Sequence, residues 1–430
     1  MVAKCLHFAL KNYIIKIVNK AKEKGNAKMV TNIETKTDFT TFLANDIGND
    51  KMKIRESENP NSDVYKIESA YRRLTKKPEV QELDLQKNVM GLLDNLVVNI
   101  TSDAIKRSGL YAIGKKATNV SKSGLYNMDI ESGEKHEEDF MLIGSLGFIA
   151  ARTVQKEYAL NSEVRPVLST NVFMSTAIPA SQHNAVNAKF LEERFTKNTH
   201  IVIVFLGDKQ VTVNVTFERV KVMKEGVPAL YAILEGENEM FKEFNENYKL
   251  NWTGKDFADK KIMHTDIGSG TTEYIFTNGV NPVSDRCSGE RQGMGHAIAA
   301  AIELLKDERK GLSINRQQFS KYIEQPNEYP KDSELAKTFL AETSLEQSDS
   351  ILDSIITKNA RDMSNETEIF TVYGGGSIEF KDEMYAELNN YAESQNAKLL
   401  WIPQKYTVTM NVDGLNNLNR NLFYSKELEM

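Results

Sequence analysis

Residues 263–275 read MHTDIGSGTTEYI: an apolar run closes on an aspartate, glycines and threonines follow, and apolar residues resume. A plain hairpin needs only an Asn-Gly or Asp-Gly corner. Here the strand ends on a carboxylate, Asp266, and Gly268, Ser269 and Gly270 put a nearly bare backbone in the turn. Successive main-chain N–H groups in such a turn form a nest for an anion, and Thr271 or Thr272 can add a hydroxyl. The pattern predicts one jaw of a phosphate site, although an ordinary hairpin could carry the same residues.

Two other stretches read the same way. TTFLANDIGNDKMKI (40–54) is strand, tight turn, strand. Alternation aims Asp46 into a cleft, Gly48 and Asn49 offer backbone N–H groups beside Asp50, and Lys53 on the returning strand can reach the same point. EIFTVYGGGSIEF (368–380) is a buried strand running into Gly374, Gly375, Gly376 and Ser377. Consecutive glycines let a flat base or ribose lie against the main chain, and a flexible corner is the competing reading. Two facing loops can grip a triphosphate from both sides. Asp46 and Asp266 would then hold a hydrated magnesium ion, which takes few protein ligands.

Composition narrows the class. The chain has 430 residues, 40% hydrophobic and 27% charged, with a formal charge of −6. That length suits two domains or one bilobed unit, and the acidic balance argues against direct nucleic-acid binding. Cys5 and Cys287 are too few for a disulfide framework and show no metal-site spacing, so a reducing cytoplasm is expected. The most apolar run, IVIVFLG at 201–207, is too short to cross a bilayer. Residues 1–28 carry seven lysines against one glutamate and an apolar stripe from Leu6 to Val18. Such a helix can dock a partner, pack on its own domain or lie on a membrane, and membrane attachment is the reading not favoured.

Between the motifs, periodicity predicts a helix over 140–154, a strand and loop over 167–180, a hairpin over 200–217, a further strand at 219–223 and helices opening at 227 and 296. Residues 56–107 read as polar and mainly helical, and 308–350 as a polar stretch without a motif. Gly144 and Gly147 would let another element approach the helix over 140–154. Two halves that each begin with an Asp-containing strand–turn–strand suggest internal duplication, with ligand held between them.

Taken together, the turns at 46–53 and 266–272 and the glycines at 374–377 resemble the actin, heat-shock-chaperone and sugar-kinase superfamily. Within it the chain is most similar to ParM-like bacterial actins. VKVMKEGVPALYAIL (220–234), RQGMGHAIAAAI and LNNLNRNLFY resemble further segments of that family. The resemblance implies an α/β, actin-like fold of two ribonuclease-H-like lobes with a nucleotide cleft between them. It would divide the chain into a basic extension (1–39), domain I (40–254), domain II (255–404) and a C-terminal helix returning to domain I (405–430). It implies ATP or GTP with Mg2+, hydrolysis coupled to polymerisation, and self-association head to tail. It also implies segregation of plasmid or phage DNA through a DNA-bound adaptor of the ParR type. Glu225, at the turn before VPALY, takes the catalytic position with Asp266, and Glu235 is the alternative acid. A small-molecule kinase of the same superfamily is the competing function.

Overall fold

Along Lys209–Lys224 the buried side chains change parity: Val211, Val213, Val215 and Phe217 are inside, and then Val220 and Val222. A strand exposes alternate residues to one face, so a parity change requires an irregularity. The ladder with Val167–Ile178 shifts register between Phe217 and Arg219, which keeps the apolar face toward the core. The strand expected separately at 219–223 is therefore the second half of one 16-residue strand.

The computed structural model describes residues 38–59, 62–77, 79, 82–119, 124–128 and 134–429. The apolar stripe at 1–28, and all of the extension at 1–39 except its last two residues, lie outside the described residues. From Phe39 onward the chain forms one compact unit built on two sheets.

The larger sheet has ten strands and centres on Phe39–Ile47, Val167–Ile178 and Lys209–Lys224. Phe39–Ile47 runs antiparallel to Lys51–Glu56 and parallel to Val167–Ile178. The smaller sheet repeats this unit: Lys261–Ile267 runs antiparallel to Thr272–Asn278 and parallel to Ile369–Tyr373. Parallel neighbours need crossovers, and Phe39–Ile47, Lys261–Ile267 and Ile369–Tyr373 are buried along nearly their whole length, whereas Lys209–Lys224 leaves alternate residues partly or fully exposed. In the helix Phe140–Asn161 every residue from Phe140 to Ala151 is buried. A Cβ on Gly147 would sit 2.4 Å from Ile113 Cδ1, so this glycine permits the helix to approach the sheet. Gly144 instead makes room for the Phe140 ring of its own helix.

The helical expectation for 56–107 is not met. Among its described residues that region supplies the strands Tyr65–Glu68, Ala70–Leu74 and Val97–Thr101, with only a short helix at Leu85–Met90. Val97–Thr101 pairs with both His200–Leu206 and Gly109–Ile113, and non-local pairing overrides weak local propensity. The polar stretch at 308–350 contains Arg316–Glu324 and most of the long helix Pro330–Arg361. The C-terminal helix Met410–Leu418 packs on Val227–Leu234 so closely that a Cβ on Gly414 would lie 1.7 Å from the Pro228 carbonyl oxygen. Among the described residues no helix is long and apolar enough to cross a membrane.

Candidate functional site

The two strand–turn–strand units meet across a cleft of about 380 Å³, within the range of small-molecule sites. Their turns are built alike. The Gly48 N–H donates to the Lys51 carbonyl (3.1 Å), and the Gly268 N–H donates to the Thr271 carbonyl (2.9 Å). A Cβ on either glycine would press on that same carbonyl, at 2.9 and 2.7 Å. The two turns differ in charge on the returning strand. Asp46 faces Lys53 in the first ladder, while Asp266 faces Glu273 in the second.

The cleft brings together Asp46, Gly48, Asn49, Asp50, Lys53, Glu225, Asp266, Gly268, Ser269, Thr271, Gly374, Gly375 and Gly376. Three expected residues do not line it. Gly270 turns its carbonyl to His296 Nε2 (2.8 Å), Thr272 donates its hydroxyl to the Gln292 carbonyl (3.2 Å), and Ser377 donates to the Gly374 carbonyl (2.8 Å). These contacts brace the loops. Glu235 is exposed at the end of the helix Val227–Leu234 and also lies outside the cleft.

The three glycines have different reasons to be glycine. Gly374 has φ +93°, and a Cβ there would lie 2.4 Å from the Ile267 carbonyl oxygen. A Cβ on Gly376 would lie 2.6 Å from Ile267 Cγ2. Both let the loop close against the second turn. Gly375 alone faces open space, with nothing within 4 Å of an added Cβ. Gly375→Val is therefore expected to leave the melting temperature unchanged while weakening nucleotide binding roughly tenfold, about 1.4 kcal/mol. Titration with a fluorescent nucleotide checks this, and undiminished affinity would reduce the triple glycine to a corner.

Glu225 closes the strand Lys209–Lys224, where its N–H donates to the Ile178 carbonyl (2.8 Å) and Gly226 turns the chain with φ +78°. Its carboxylate is buried and ion-paired with the buried Lys135. Asn411 from the C-terminal helix donates to Asp266 Oδ2 (2.6 Å) and accepts the Gly226 N–H (3.2 Å), tying the second turn to the Glu225 turn. Lys53 pairs with Asp46 at 3.0 Å. Glu273 is buried; its Oε2 accepts the Ala180 N–H (2.9 Å), and its Oε1 has no hydrogen-bond partner.

Four buried carboxylates thus share the cleft with Lys53 and Lys135. Burial raises the Asp266 carboxyl to about 7, with Asp46 adding repulsion and Asn411 and Lys53 opposing. Burial likewise raises Glu273 to about 8, helped by Glu225 and opposed by the Ala180 N–H. Glu225 is also raised, by burial against the pull of Lys135. Burial works against the Lys53 ammonium, but Asp46, Asp266 and Glu225 hold it above the ordinary lysine range. Among the described residues no three acid, histidine or cysteine side chains converge to ligate an ion directly. The donor set still fits a hydrated divalent ion, because Asp46 and Asp266 lie on facing jaws and their mutual repulsion is what such a charge relieves.

Glu273 has a measurable signature in stability. A carboxyl whose folded-state pKa lies above its unfolded value keeps a proton that the unfolded chain has released. Its contribution is complete below the unfolded value near 4.3 and is lost as pH rises through about 8. The melting temperature of nucleotide-free protein should fall from about pH 5 to about pH 9, and Glu273→Gln should flatten the slope. An unchanged slope would show that Glu273 is ionised throughout.

Sequence reasoning did not find Lys135, Glu273 or Asn411. Glu273 was accessible, since it follows Asp266 at the spacing by which Lys53 follows Asp46. Lys135 and Asn411 reach the cleft from segments with no local pattern, and only tertiary packing brings them there.

No protein-family model and no curated protein matches the chain. Solved structures do. The actin-like protein Alp7A superposes with a TM-score of 0.63 at 14% identity, over 91% of this chain and 99% of that one. ParM from Bacillus thuringiensis with ATP gives 0.57 at 16% identity, over 89% and 100%. A 15-stranded ParM filament from Clostridium botulinum gives 0.59 at 15% identity, over 89% and 100%. At these identities the likeness concerns the fold. The chain has the α/β, two-lobed actin-like fold.

Proposed function

We propose that this chain is a filament-forming actin-like nucleotidase that binds ATP or GTP with Mg2+ in the cleft and hydrolyses it as it polymerises. The observation that carries this reading is the pair of matching acid–glycine turns facing one cleft, with Glu225 at its floor. The N–H nests at Gly48–Asp50 and Gly268–Ser269 would hold the phosphates, and Lys53 would add a positive charge. Asp46 and Asp266 would hold the hydrated magnesium, which supplies charge neutralisation on the phosphates. Gly375 leaves room for the base or ribose. Glu225 is placed to orient a water and take its proton, with Lys135 fixing the carboxylate in position.

The lobes are joined at the site itself. Asn411 links the Asp266 turn to the Glu225–Gly226 turn, and Glu273 reaches from the smaller sheet to the Ala180 N–H beyond the larger sheet's Val167–Ile178. Nucleotide bound between such jaws favours whichever lobe arrangement contacts the terminal phosphate, and hydrolysis removes that preference. Head-to-tail contacts that do not close then generate a filament. The ParM structures with ATP and in a filament support this reading; within it, a ParR-type adaptor would couple the polymer to plasmid or phage DNA. Sedimentation with ATP, GTP, ADP and no nucleotide tests it. Pelleting that requires a nucleoside triphosphate is expected; a protein that stays in the supernatant under all four conditions would exclude the filament.

A further inference from the structure

Arg316 opens the helix Arg316–Glu324, in a stretch where the sequence shows no motif. Its guanidinium lines the cleft beside the second turn and donates to Ser269 Oγ at 2.5 Å. A Cβ on Gly295 would lie 2.5 Å from the Ser269 carbonyl oxygen and 1.8 Å from Arg316 Nη2, so glycine lets the turn pack against this helix start with the guanidinium beside it. Gly295 in turn donates its N–H to the Ser269 carbonyl (2.6 Å), which fixes the turn under the guanidinium.

Lys53 and Lys135, which also line the cleft, are already matched, by Asp46 and by Glu225. Among the described residues Arg316 has no carboxylate in ion-pair contact, and one hydroxyl occupies a group with five N–H donors. A planar guanidinium held over a turn of bare backbone is suited to two oxygens of one phosphate. Burial lowers the Arg316 pKa, and Asp50, which lines the cleft on the opposite turn, opposes that shift.

Resting on the nucleotide-cleft reading above, we infer that Arg316 is a polyphosphate-specific positioning residue. Its guanidinium would grip the β- or γ-phosphate from the smaller-sheet side and thereby distinguish nucleoside tri- and diphosphates from monophosphates. Without that phosphate it rests on Ser269.

The test is a binding titration of Arg316→Ala and Arg316→Lys with ATP, ADP and AMP plus magnesium, and with the guanine series if the wild type prefers it. Arg316→Ala should lose at least tenfold in affinity for the triphosphate and less than twofold for the monophosphate. Arg316→Lys, which keeps the charge without the fork, should fall between. Equal losses for tri- and monophosphate would assign Arg316 to the base, the ribose or the fold, and an unchanged triphosphate affinity would leave it no role; either overturns the inference. Wild-type protein that binds no nucleotide would overturn the cleft reading and this inference together, which separates the two failures.

Discussion

Glu225→Gln should bind nucleotide as the wild type does and release phosphate roughly 10²–10⁴-fold more slowly, the range expected when a positioned proton acceptor is lost. The amide keeps the shape of the side chain and can still accept a hydrogen bond from Lys135, but it cannot take a proton from water. Filaments should form with ATP and then persist, because the step that loosens the lobes no longer occurs. Glu225→Ala is the less informative variant. It leaves the Lys135 ammonium buried without its partner, a loss that costs roughly 3–5 kcal/mol and confounds stability with catalysis. Malachite-green assay of phosphate release, with light scattering for the polymer, reads both effects. If release is unchanged in Glu225→Gln but stalls in Glu273→Gln, the proton acceptor is the acid on the second returning strand.

How much of this was legible in the sequence depends on the range of the interactions. The turns at Asp46 and Asp266 could be read because a tight turn is dictated locally, by glycines that a Cβ would block and by strands on either side. The helix over 140–154 could be read because its burial is set by its own composition. The strands in 56–107 could not, since Val97–Thr101 is a strand only by virtue of partners about ten and a hundred residues away. The same distinction divides the site. Lys53 and Gly375 sit within motifs, whereas Lys135, Asn411 and Arg316 enter from segments whose local pattern carries no chemistry. The parity change at Phe217 shows the limit in miniature: apolar alternation that breaks phase looks like two strands until a ladder shows one with an irregularity.

Asp266→Ala should affect both hydrolysis and the metal dependence of binding. Asp266 is the acid that one jaw presents to the metal, so its loss should lower magnesium-dependent hydrolysis by about 10²–10³-fold, comparable to removing one transition-state stabilising group. It should also remove the magnesium dependence of nucleotide affinity, since only Asp46 would remain to orient the hydrated ion. The change does not unbalance the cleft electrostatically: burial and Asp46 hold the Asp266 carboxyl near 7, so much of its charge is absent before a cation arrives. Its structural cost should be confined to the Asn411 amide, which would lose the acceptor at 2.6 Å and with it one tie between the second turn and the C-terminal helix. Asp266→Asn separates these effects by keeping an oxygen for Asn411 while removing the charge. Both variants should be equally inactive if metal orientation is the role. Activity restored in Asp266→Asn would mean that Asp266 serves the cleft through Asn411, and wild-type turnover in both would place the metal elsewhere.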